Sequence, residues 1–199
     1  MTSLVPELET PAVNVNPRIL LAGALAAGLL GAGGCGAARG TAPTVASPAA
    51  TAAFGGTDLA WVEINIAMNE ELLPLLELTP ARSSNAALKR LSAQVEAFTG
   101  EELGTLRRLH DEAGLPSENP HKGMPMPGMV TPSLVAQAAA QHGAGFDKTL
   151  TTALREHLEQ GRQLATSERS AGAETRTKEL AARILESREE VLEKLGKDF

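Results

Sequence analysis

Apolar residues recur at intervals of three and four from residue 58 to the C-terminus, and each run ends at a glycine, a proline or a polar cluster. The first run places Val62, Ile66, Leu73 and Leu76 on one stripe, where Pro74 is expected to kink or shorten the helix because it lacks an amide donor. Thr79 to Asn85 supplies turn and N-cap residues. Leu88, Leu91, Val95, Phe98, Leu106 and Leu109 then mark a longer helix, weakened at Gly100 and Gly104 and ending near Gly114, Leu115 and Pro116. Residues 116–132, PSENPHKGMPMPGMVTP, hold five prolines and two glycines, so the backbone there is irregular. Thr131 and Pro132 read as an N-cap and a first helical position, opening a short helix over residues 133–141. A third long helix runs from Phe146 through Leu150, Leu154, His157, Leu158, Gly161 and Leu164 to about Ser170. The last, from Ala173 to the end, sets Leu180, Ile184, Val191, Leu192 and Leu195 on one face, with Lys178, Glu179, Arg183, Glu186, Arg188 and Glu189 largely on others. The predicted fold is all-α: an antiparallel four-helix bundle of two helical hairpins, joined by a Pro/Met-rich loop and a short helix. LKRLSAQVEAF in one half parallels ELAARILESREEVLEKL in the other, a weak repeat that suits a duplicated hairpin.

The pattern before residue 58 is different. Ile19 to Leu30 is a run of twelve apolar residues, too short to span a bilayer as a mature helix but suited to the hydrophobic region of an export signal. It follows Arg18 and leads into Gly31-Ala32-Gly33-Gly34-Cys35, which resembles the lipobox of bacterial lipoproteins and implies a diacylglyceryl group on Cys35. Ala32 stands where that pattern usually has an aliphatic residue. An ordinary cleaved signal with a free thiol, or an uncleaved anchor, remains open on the same residues. Glu7 and Glu9 stand where a signal carries positive charge, which a start codon assigned too far upstream would explain. Residues 36–57 are small and Pro-interrupted, the composition of a disordered spacer. Three segments are expected: a signal peptide over 1–34, lipidated Cys35 and a tether over 35–57, and the helical domain over 58–199.

Composition narrows the functions. With 4 Phe, 1 Trp and no Tyr the core must be aliphatic, and the single cysteine excludes an internal disulfide. The formal charge of -6 and the lack of a basic cluster argue against a nucleic-acid partner. No Ser-His-Asp arrangement, nucleophile elbow or phosphate-binding glycine loop is present, and Glu63, Glu70, Glu71 and Glu156 lack the Glu-x-x-His spacing of di-iron bundles. Those carboxylates are expected on solvated faces.

Three stretches, residues 121–132 in the loop, Gly145-Phe146-Asp147, and Leu180-Ala181-Ala182-Arg183-Ile184, give the chain a resemblance to the bacterial family known as domain of unknown function 305. The resemblance covers about residues 58–199 and implies a secreted or envelope protein with a ferritin-like four-helix bundle. Typical members carry a His-His pair in the first helix of each half, facing an interior where copper could bind. Here those positions are Met68-Asn69 and His157-Leu158, so a single imidazole remains.

Each candidate ligand has two readings. His157 suits a hydrogen-bonded core histidine better than a ligand, and Met68 suits core packing. His121, Met124, Met126 and Met129 offer thioethers and an imidazole for Cu(I), or a loop that packs its methionines over the bundle. His110 and His142 lie near helix ends, where no further role is needed. The expectation is a non-catalytic, lipid-anchored envelope protein with no cofactor, whose domain meets an envelope protein or a second copy of itself. The alternative is an extracytoplasmic copper buffer built on His121, Met124, Met126 and Met129, with His157 and Met68.

Overall fold

The computed structural model describes residues 54–199; the expected signal segment, Cys35 and most of the expected tether lie outside the described residues. Six helical segments follow in order: α1 (Gly56–Glu77), the single turn α2 (Thr79–Arg82), α3 (Ala86–Glu112), α4 (Pro132–Ala139), α5 (Ala144–Ala171) and α6 (Thr175–Asp198). There is no strand among the described residues, and no helix among them is long and apolar enough to cross a membrane. α1 pairs with α3 and α5 with α6; the two hairpins meet through α1 against α5 and α3 against α6.

Local chemistry explains most of the boundaries. Asn85 caps α3 by accepting from the amides of Ala87 and Leu88 at 2.9 and 3.2 Å, and Thr131 caps α4 by accepting from Leu134 at 3.2 Å. Pro74 does not end α1, which continues to Glu77 with the proline ring on its exposed face. Gly100 and Gly104 likewise lie within an uninterrupted α3. The fold begins earlier than the periodicity indicates, because Phe54 packs on the core beside Trp61 and Val62, so residues 54–57 belong to the domain rather than the tether.

Two apolar layers fill the interior. One gathers Leu72, Leu76, Leu88, Val95, Leu150, Leu154, Val191 and Leu195; the other gathers Trp61, Ile66, Leu103, Leu106, Leu180 and Ile184. Between these layers α1, α3, α5 and α6 place, among others, Asn69, Glu102, Gly161 and Arg188. Asn69, Glu102 and Arg188 are all buried.

Candidate functional site

Arg188 corrects the outward position expected from its charge. It is 1% exposed and lies at i+4 from Ile184 and i-3 from Val191, on the apolar stripe of α6. Its Nη1 and Nη2 donate to Glu102 Oε1 and Oε2 at 2.8 and 2.7 Å, a two-bond fork. Asn69 Nδ2 donates to the same carboxylate at 3.2 Å, and the guanidinium lies 4.7 Å from the centre of the Phe98 ring. Gly161 makes the room: a Cβ there would stand 3.2 Å from Arg188 Nε. The middle of the helical core, where bundles commonly place metal and cofactor ligands, is thus filled by an internal ion pair.

His157 sits one turn before Gly161 and is 1% exposed. Its Nδ1–H donates to the carbonyl of Gly128 at 3.2 Å, which fixes the neutral tautomer with Nε2 unprotonated. Burial, reinforced by the Arg188 charge and only partly opposed by the Gly128 bond, pushes the imidazole down to about 3. The Gly128 contact also anchors the loop. Gly128 has φ of 72°, and a Cβ there would lie 2.6 Å from the carbonyl oxygen of Glu156, so only glycine brings the loop this close to α5.

That anchor determines where the loop methionines go. Met129 is 8% exposed and joins Ala67 and Met68 in a third cluster, against which Met126 is half-buried. Met124 is 43% exposed and stands apart from them. His121 turns toward α1, with Nε2 4.0 Å from Glu63 Oε2, while its Nδ1 is buried without a partner. The loop is stitched to the same helix face by Asn119 Nδ2 donating to the Glu63 carbonyl at 2.8 Å and by the Gly123 amide donating to Glu71 Oε1 at 2.7 Å. Glu63 is therefore covered by the loop, not solvated as its charge suggests. Of the proposed ligands, Met68, Met126 and Met129 share one cluster, His157 holds the backbone one residue before Met129, and Met124 and His121 point elsewhere. No group of three His, Cys, Asp or Glu side chains among the described residues is placed to hold a metal ion.

The remaining histidines have local duties. His110 Nε2–H donates to the Pro116 carbonyl at 3.1 Å, and His142 Nε2 accepts from Arg82 at 2.5 Å beside the Gly143 amide bond to the Arg82 carbonyl. An open cleft of about 600 Å³ lies between α1, α3 and the start of the loop, lined by both charges, among them Glu70, Arg107, Asp111 and Lys122.

The profile of the family described as Domain of unknown function (DUF305) matches residues 61–197. The chain belongs to the DUF305 family. A Streptomyces coelicolor member, named as a candidate secreted protein, is 19% identical and superposes with a TM-score of 0.62, covering 70% of this chain and 89% of its own. A DUF305 fragment from Deinococcus radiodurans is 14% identical with a TM-score of 0.64, covering 72% of this chain and 95% of its own. At these identities the likeness establishes a shared helical fold and nothing of activity. No curated protein matches the chain.

Proposed function

We propose that this DUF305 protein is an exported, lipid-anchored component of the bacterial envelope. Its ferritin-like antiparallel four-helix bundle serves a non-catalytic, structural or interaction role. The observation that supports this reading is the Arg188–Glu102 pair: the central polar layer contains a fixed cation balanced by its own carboxylate, and a second cation there would meet the guanidinium. His157, neutral and tied to the loop, reads as a packing residue that positions Gly128. The candidate secreted relative from Streptomyces coelicolor supports export, and the Cys35 pattern supports the anchor. Metabolic labelling with a palmitate analogue tests the anchor. Label on the wild-type chain that is absent from Cys35→Ser agrees with it, and an unlabelled wild-type chain contradicts it.

A second reading has one observation in its favour, the shared packing of Met68, Met126 and Met129. Three thioethers form a soft, uncharged ligand set of the kind that suits Cu(I). In that reading the protein buffers copper outside the cytoplasm through these three residues, without Met124 or His121.

A further inference from the structure

Where α1 begins, four buried polar residues from three elements converge. Asp58 belongs to the first turn of α1, Glu168 to the last turn of α5, and Glu174 and Thr177 to the start of α6; all four are buried. Asp58 Oδ1 accepts from the amides of Ala173 and Glu174 at 2.9 and 3.1 Å, and Oδ2 from the amide of Gly55 at 2.5 Å. One carboxylate thus ties the N-terminus of α1, where the tether arrives, to the corner between α5 and α6. Glu174 caps α6 by accepting from the Thr177 amide at 2.8 Å.

Thr177 has too few hydrogens for the acceptors around it. Thr177 Oγ1 lies 2.5 Å from Glu168 Oε1, 3.0 Å from Asp58 Oδ1 and 2.8 Å from the Glu174 carbonyl, but a hydroxyl has one hydrogen to give. With both acids ionised, three acceptors compete for it, and Glu168 Oε2 is left buried without any partner. A proton on Glu168 turns one competing acceptor into a donor: Glu168 donates to Thr177 Oγ1, Thr177 donates to Asp58 Oδ1, and the Glu174 carbonyl accepts from the Lys178 amide at 3.3 Å. Asp58 keeps its charge because three backbone amides point at it. Gly172 allows the close packing, since a Cβ there would collide with the Glu168 carboxyl.

We propose that Glu168 holds a proton in the folded protein and that this proton clamps the α1 terminus to the α5–α6 corner, so that the clamp loosens as the proton is lost with rising pH. The charges facing Glu168 are Asp58 on α1, Glu174 at the α6 cap and Lys178 on α6; Arg176 is occupied by Glu174 and Glu112. Burial and the neighbouring Asp58 push the Glu168 carboxyl up to about 7, against partial opposition from Thr177 and Lys178. The clamp is fully stabilising below the ordinary Glu range and loses strength from there up to about pH 7. Asp58 acts in the opposite sense, being held below its ordinary range even though burial alone would raise it, so its caps fail only in acid.

The test compares the full chain with Glu168→Gln, a neutral isostere, by thermal and denaturant unfolding between pH 4.5 and 8.5. The difference between the two proteins is the readout, because His157 titrates in the opposite sense over part of this range. Glu168→Gln should gain on the wild type as pH rises, by on the order of a hundredfold in the unfolding equilibrium constant by pH 8. A constant difference across the range overturns the proposal. If the variant does not fold, carbon-13 NMR of the wild-type Glu168 carboxyl decides: titration near 7 supports the clamp, and titration in the ordinary carboxylate range overturns it.

Discussion

Arg188 and Glu102 meet through two parallel hydrogen bonds at 2.8 and 2.7 Å, from α6 to α3, in the layer that separates the two apolar cores. A buried pair of this kind adds little net stability, because desolvating both charges offsets their attraction, but it is costly to break on one side. It specifies which residues face each other across the weaker α3–α6 contact.

The first prediction follows from that asymmetry. Arg188→Met leaves Glu102 buried and bonded only to Asn69, and should cost about 3–5 kcal/mol in denaturant unfolding. The double variant Arg188→Met/Glu102→Leu removes both charges and should recover most of that loss. A single variant within ~0.5 kcal/mol of wild type would show that the pair is not desolvated as described.

A second prediction concerns the loop anchor. Gly128→Ala must place a Cβ 2.6 Å from the Glu156 carbonyl oxygen at a φ of 72°, so it cannot be accommodated without lifting the loop from α5. The backbone conformation alone costs about 1–2 kcal/mol, and the steric conflict adds to it. Limited proteolysis should cut the 116–131 segment faster in the variant, whereas Gly123→Ala, with open space around its Cβ, should pay only the backbone cost and keep the loop seated.

His157 supplies a pH prediction with a definite sign. Its folded-state value of about 3 lies below the ordinary 6.5, so the unfolded chain binds the proton first and stability falls as pH drops from about 6.5 toward 3. The slope contributed is at most about 1.4 kcal/mol per pH unit. Proton NMR of the imidazole should show no titration down to pH 4, and His157→Gln should remove that part of the acid slope. An inflection near 6.5 would mean that the ring is neither buried nor held by Gly128.

Much of this fold is legible in the sequence. The periodicity locates the four long helices, and Asn85 and Thr131 mark two of the starts. The polar interior is hidden at the level of sequence because a charged residue ordinarily faces solvent. Arg188 follows Ile184 by four and precedes Val191 by three; Glu102 precedes Leu106 by four; Glu168 follows Ala165 by three. Each lies on an apolar stripe, and that register was the available signal. What periodicity could not convey is pairing between helices: that Gly161 opens space for Arg188, or that Asp58 reaches Thr177 across more than a hundred residues. The loop was equally opaque, since its methionines separate into packed and exposed only once Gly128 is seated on α5.

We propose that aliphatic packing holds this domain together, that the Arg188–Glu102 pair fixes which residues face each other, and that no metal is needed. The most direct measurement is a Cu(I) titration of the full chain against a chromogenic chelator, beside Met126→Leu/Met129→Leu. The account predicts that neither protein withdraws copper from the chelator and that both unfold at the same temperature with and without it. Tight one-to-one binding by the wild type that is lost in the variant would contradict it and establish the methionine cluster as a copper site.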